Sequence, residues 1–122
     1  MFDFHSRTAT PFLSLSSEEE LTDAVLRSNG EPIILFKHSA TCGISAGANS
    51  SMAELSEATD PPIYRLIVQE SRGLSNTIAE RFEVRHESPQ VLVLVEGEVV
   101  FHTSHYRITA ERLRDTVKRL AA

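Results

Sequence analysis

A chain of 122 residues with 41% hydrophobic and 24% charged side chains has the length and composition of one globular domain, which excludes a mainly disordered or collagen-like polymer. Seventeen Asp and Glu against twelve Lys and Arg leave a formal net charge of −5, and this argues against an extended nucleic-acid surface, because phosphate binding needs a dense cationic stripe. Cys42 is the single cysteine, so no disulfide can form within the chain and a disulfide-stapled secreted domain is excluded.

In chain order, Pro11 to Leu15 is a short candidate strand, with Pro11 tolerable only at its start. Ser16 and Ser17 each precede a Glu by three positions (Glu19, Glu20), the capping-box spacing, and Leu21, Ala24 and Val25 form an apolar helical stripe for which Gly30 is the expected stop. Ile33 to Phe36 is apolar at every position, as expected of a strand covered on both faces. After a polar bend, Ala48, Met52 and Leu55 mark a helix starting near Gly43 and ending before Asp60-Pro61-Pro62. Ile63 to Val68 reads as a strand, and Leu74, Ile78, Ala79 and Phe82 as a helix beginning near Ser71 or Gly73. Val91–Val95, a Glu96-Gly97 turn and Val99–Phe101 predict a β-hairpin. A last helix, capped by Thr109 and favoured by Glu111 in its first turn, directs Leu113, Val117 and Leu120 to the core. The basic stretch near the end of the chain, Arg107, Arg112, Arg114, Lys118 and Arg119, is interrupted by Glu111 and Asp115 and reads as a solvated face. The order β-α-β-α-β-α-β-β-α predicts an α/β sandwich, three layers deep, whose central strands are largely parallel.

The amino terminus lacks the pattern of a signal peptide, and no stretch approaches the roughly 20 apolar residues of a membrane span. A cytoplasmic protein of a reducing compartment, with neither nucleic acid nor membrane as partner, is the resulting expectation.

The chemistry concentrates at Cys42, which follows the all-apolar strand and precedes a helix. A thiol at a helix amino terminus faces unpaired backbone N–H groups and the positive end of the helix dipole, which favour the thiolate that disulfide exchange requires. Lys37 and His38 at the strand end serve either thiolate stabilisation or anion contact, or form a solvated pair. Ser45 occupies the position a second thiol would take in a Cys-X-X-Cys pair, so an intramolecular resolving step is impossible. Ser88-Pro89 stands just before the hairpin. His102 and His105 are three apart beyond a strand, too weak a pattern for zinc, and no bound metal or cofactor is expected.

These residues together resemble a known family. A strand, Cys42-X-X-Ser45 at a helix start, a second βα unit, a proline before a hairpin and a closing helix are similar to the thioredoxin fold across nearly the whole chain. More narrowly, Phe36-Lys-His-Ser-Ala-Thr-Cys42-Gly-Ile-Ser45, Arg85-His-Glu-Ser-Pro-Gln90 and Ser104-His-Tyr-Arg-Ile108 resemble the monothiol bacilliredoxins of the YtxJ type, from the bacillithiol redox system. The resemblance implies one thioredoxin-like domain over residues 1–122, with 1–10 a loosely ordered start and a mixed central sheet. It implies an enzyme in which the Cys42 thiolate removes bacillithiol from protein mixed disulfides and is left as a Cys42-bacillithiol adduct. Bacillithiol is then the co-substrate, and bacillithiolated proteins and a low-molecular-weight thiol are the partners of a monomer. Pro89 corresponds to the cis-proline, the Ser88 backbone to the strand that pairs with substrate, and Thr41, Gly43 and Ser45 to the lining of the nucleophile.

Two alternatives stay open. Cys42-Gly43-Ile44-Ser45 also resembles the Cys-Gly-Phe-Ser of monothiol glutaredoxins, which implies an iron-sulfur or glutathione protein, although Glu87-Ser88-Pro89 stands where Thr-Val-Pro is expected. A binding module that uses the scaffold without redox turnover is the other.

Overall fold

The computed structural model describes residues 11–57 and 59–121; the expectation of a loosely ordered start over 1–10 lies outside them. The elements are β1 (Phe12–Ser14), α1 (Glu18–Arg27), β2 (Ile33–His38), α2 (Gly43–Ala53), β3 (Ile63–Ile67), α3 (Arg72–Phe82), β4 (Gln90–Val95), β5 (Glu98–Ser104), a 3-10 turn (His105–Arg107) and α4 (Ala110–Ala121). The predicted order holds throughout.

The sheet runs β1-β3-β2-β4-β5. β3 is parallel to both β1 and β2, whereas β4 is antiparallel to β2 and β5 to β4. The central strand β2 therefore has one neighbour of each kind. Its residues are apolar without alternation because each face meets a separate core. Ile33 and Leu35 join Tyr64, Leu66, Leu92 and Leu94 under α1 and α3, where Leu21, Ala24, Leu74 and Ile78 close the layer. Ile34 and Phe36 join Ile63, Val91 and Val93 under α2 and α4, closed by Ala48, Met52, Ala110 and Leu113.

Of the two capping signals at α1, Ser17 is the cap, its Oγ accepting from the Glu20 amide at 3.1 Å. Glu20 Oε1 turns back to the Ser16 amide at 2.7 Å, which satisfies a second free donor. The helix ends at Arg27, with Ser28 and not Gly30 at its cap, because Ser28 is drawn into the hairpin: its carbonyl accepts from Glu96 N–H and its hydroxyl from Gly97 N–H, both at 2.8 Å. The hairpin turn has φ of 52° at Glu96 and 77° at Gly97, the left-handed pair that a two-residue connection needs to match strand twist.

Three further expectations are corrected. Leu55 packs in the core although α2 stops at Ala53, so its burial follows from a chain turn and not from helical register. The hairpin's second strand extends from Glu98 to Ser104, longer than its apolar Val99–Phe101 segment, because antiparallel pairing with β4 continues through polar residues. Leu120 is 40% exposed while Leu113 is buried, since periodicity specifies a helix face but not how far its neighbours extend. The Thr109 cap holds, its Oγ1 accepting from Arg112 N–H at 3.2 Å. No helix among the described residues is long and apolar enough to cross a membrane.

Candidate active site

Cys42 is the N-cap of α2, with extended torsions (φ −102°, ψ 127°) that turn the chain from the bend into the helix. No side-chain bond closes this cap, so the first-turn amides remain open toward the sulfur. The Cys42 thiol is half-buried and joined in no disulfide. Its pKa lies below the ordinary thiol value, chiefly through the Ser45 amide, then the Ile44 amide, with a smaller contribution from the Ser45 hydroxyl and burial opposing them. The helix terminus thus stabilises negative charge on sulfur, as its sequence position implies.

Ser45 is fully buried. Its Oγ accepts from the Ser39 amide at 3.2 Å, tying the first turn of α2 to the end of β2. Gly43 and Thr41 are exposed on either side of the sulfur.

The bend between β2 and α2 is held by a residue that the sequence reading missed. Gln69 Oε1 accepts from Ala40 N–H at 3.1 Å, while its Nε2 donates to Ser39 Oγ at 2.8 Å and Thr41 Oγ1 at 3.2 Å. One side chain therefore grips three consecutive residues before Cys42. Only strand pairing could reveal it: β2 and β3 are in register at Lys37–Leu66 and His38–Ile67, and Val68 N–H continues the ladder to the His38 carbonyl at 2.9 Å, which brings Gln69 beside the bend.

The structure separates Lys37 from His38, since successive side chains of a strand point to opposite faces. Lys37 is 1% exposed, on the α3 face of the sheet, and its Nζ donates to the Ser75 carbonyl at 3.1 Å and contacts His86 Nδ1 at 3.2 Å. Burial pushes its pKa down to about 8. This ammonium is engaged away from the α2 face. His38 lies on the α2 face, its ring tilted against Phe36 at a centroid distance of 5.8 Å. Its pKa is lowered, first by burial and then by Arg65, with a bond to the Ser45 backbone opposing them. Its Nδ1 is buried without a hydrogen-bond partner among the described residues, and a neutral imidazole at neutral pH gives Cys42 no counter-charge. The amides supply that role.

The Ser88-Pro89 peptide bond is cis. Because Gln90 pairs with Lys37 across β2 and β4, Pro89 sits at the same sheet end as the bend that leads to Cys42. Ser88 Oγ is enclosed without a hydrogen-bond partner among the described residues, and the Pro89 carbonyl accepts from His105 N–H at 3.0 Å. The three sequence motifs thus converge on one end of the sheet. His86 faces Lys37 and Ser75, and among the described residues no three His, Cys, Asp or Glu side chains form a group that could hold a metal ion.

Comparison with known proteins accords with this geometry. A protein described as a candidate oxidoreductase with a thioredoxin fold is 35% identical, with a TM-score of 0.78 over 85% of this chain and 91% of its own. A mutant thioredoxin from Halobacterium salinarum superposes with a TM-score of 0.69 at 21% identity, covering 90% of this chain and 92% of that one. Thioredoxin f from spinach chloroplast gives 0.69 at 17% identity, over 91% and 94%. These establish a thioredoxin fold. The family model described as monothiol bacilliredoxin matches residues 13–113, a span that includes Cys42, Ser45, the cis-proline and the Ser104–Ile108 segment. With that match over most of its length, a thioredoxin-like sheet and one cysteine at a helix start, the chain belongs to the monothiol bacilliredoxin family, thiol-redox proteins of the thioredoxin fold.

Proposed function

We propose that the protein is a monothiol oxidoreductase that removes bacillithiol from protein mixed disulfides. The observation that carries this reading is the pairing of Cys42, an open-capped thiol at the start of α2, with a fully buried Ser45 where a resolving thiol would stand. The Cys42 thiolate attacks the bacillithiol sulfur of protein-S–S-bacillithiol. The new S–S bond forms as the old one breaks, and the protein leaves as thiolate and takes a proton from water. Cys42 is left disulfide-bonded to bacillithiol. A second small thiol, as thiolate, attacks the bacillithiol sulfur of that bond, releases the Cys42 thiolate and leaves as a disulfide with bacillithiol, so the cycle exchanges one disulfide for another. Ser45 holds the bend and helps to lower the thiol pKa. Thr41 and Gly43 flank the entering disulfide, and the Ser88 backbone beside Pro89 pairs with the substrate chain. A reducing cytosol suits a site with one unprotected thiol.

The test is intact-mass analysis after mixing the reduced protein with a bacillithiolated substrate. One bacillithiol adduct per chain, located at Cys42 and absent from Cys42→Ser, is expected; release of substrate thiol at the same rate by Cys42→Ser would overturn the reading.

A further inference from the structure

Beside Cys42, a groove of about 290 Å³ runs between α2 and the segment after β5, lined by Gly43, Ile44, Gly47 and Ser51 on one wall and by Tyr106 and Thr109 on the other. We infer that this groove holds the body of the small thiol, and that Gly47 and Tyr106 decide which small thiol the protein accepts. The inference rests on the dethiolation reading and adds the residues that would give it selectivity.

Three independent features support it. The first is space that the chain keeps open: a Cβ built on Gly43 or on Gly47 meets nothing within 4 Å, although glycine inside a helix lowers its stability relative to alanine. Both residues line the groove, so a methyl there would extend into it without touching the protein.

The second is the opposite wall. His105 has φ of 58°, left-handed backbone that a residue with a Cβ rarely adopts. Its amide is held by the Pro89 carbonyl at 3.0 Å, and its own carbonyl accepts from Ile108 N–H at 3.3 Å. This pinned turn throws Tyr106 outward, 80% exposed, the most exposed large apolar side chain among the described residues. A strained turn that projects an aromatic ring beside a nucleophile is the kind of local cost found where a ligand is gripped.

The third is size and charge. A volume of about 290 Å³ is just under the roughly 300–1,000 Å³ of small-molecule sites, room for one small thiol. No Asp or Glu lines it, and His105 with the Ser51 and Thr109 side chains offers polar partners beside its apolar residues, a setting for a hydroxylated small thiol. The reaction geometry gives the same assignment. In thiol-disulfide exchange the sulfur bonded to Cys42 in the intermediate is the small thiol's, so its body lies on the surface next to Cys42, where this groove opens, and the protein thiolate departs.

The test compares one single-cysteine carrier protein loaded either with bacillithiol or with cysteine, which has no body to fill the groove, and reads the ratio of the two single-turnover rate constants. The wild type is expected to favour the bacillithiol disulfide. Gly47→Leu and Tyr106→Ala are each expected to lower that ratio by roughly tenfold, the scale set by a few lost pocket contacts, with Tyr106→Phe restoring it. Ala46→Leu, an exposed site on α2 outside the groove, should keep the wild-type ratio, and the alkylation pH profile of Cys42 should not move in any variant. A ratio unaltered by Gly47→Leu and Tyr106→Ala would overturn the inference and leave the dethiolation reading intact, as would a wild type that treats the two substrates alike. Equal loss on both substrates would overturn it too, because it would assign these residues a structural role. Transfer from neither substrate by the wild type would sink both readings.

Discussion

Lys37 and His86 meet in the interior: Lys37 Nζ lies 3.2 Å from His86 Nδ1, on the side of the sheet opposite the one against which α2 packs. The charged lysine can only donate, so His86 Nδ1 must accept, and the imidazole must be neutral. Its pKa is accordingly lowered, first by burial and then by the Lys37 and Arg72 charges, with Glu87 opposing. His86 belongs to the same connection as Ser88 and Pro89. A contact remote from the sulfur therefore anchors the segment that completes the active end.

Acid should loosen this anchor before carboxylates titrate. His86 resists a proton that the unfolded chain accepts near pH 6.5, so the unfolded state binds more protons and stability falls as pH drops through that value toward the lower native one. His38, also lowered, adds to the same loss. Urea midpoints should fall between pH 7.5 and pH 5.5, and His86→Gln should flatten part of that slope. An unchanged slope would show that the Lys37 contact does not govern His86.

Restoring a second thiol should change the stoichiometry. Ser45→Cys places a sulfur three residues from Cys42 in the first turn of α2, so the mixed disulfide resolves internally. Intact mass should then show a chain lighter by two hydrogens in place of the adduct. Ser45→Ala should instead raise the Cys42 pKa slightly, since the hydroxyl is the smallest of the favourable contributions, and slow alkylation at neutral pH. Faster alkylation of Ser45→Ala would contradict the assigned hydrogen bonding.

Removing the Gln69 clamp should impair turnover more than folding. Gln69→Leu deletes three hydrogen bonds to the bend at an exposed position, where water takes the place of the lost partner, so the urea midpoint should shift little. The dethiolation rate should fall severalfold as Thr41 and Cys42 lose their fixed approach. A large loss of stability with normal turnover would assign Gln69 to the fold alone.

Gly47→Ala should stabilise the protein by up to about 1 kcal/mol, the difference in helix propensity, because the added Cβ meets no atom. Thermal unfolding measures it. A destabilised variant would mean that the α2 surface is occupied in the folded protein.

Much of this was written in local pattern. The all-apolar Ile33–Phe36 run announced a strand between two cores, the Ser17–Glu20 spacing a helix start, and Glu96-Gly97 a hairpin, because each rests on torsions or periodicity within a few residues. Cys42 before a helix and Ser45 three positions on gave the candidate site and its lack of a second sulfur in the same way. Lys37 and His38 show where this stops: adjacency in sequence suggested a cationic pair, yet strand geometry sends them to opposite faces, one ammonium to Ser75 and His86, one imidazole against Phe36. Gln69, the cis geometry at Pro89, the outward Tyr106 and the open face of Gly47 depend on which strands and helices become neighbours. The sequence by itself determined the elements, the place of the lone thiol before a helix and the absence of a second thiol to resolve it, since these are properties of neighbouring residues. The tertiary structure alone decided what holds the bend, which charges reach the sulfur and where a ligand has room, because those depend on contacts between residues far apart in the chain.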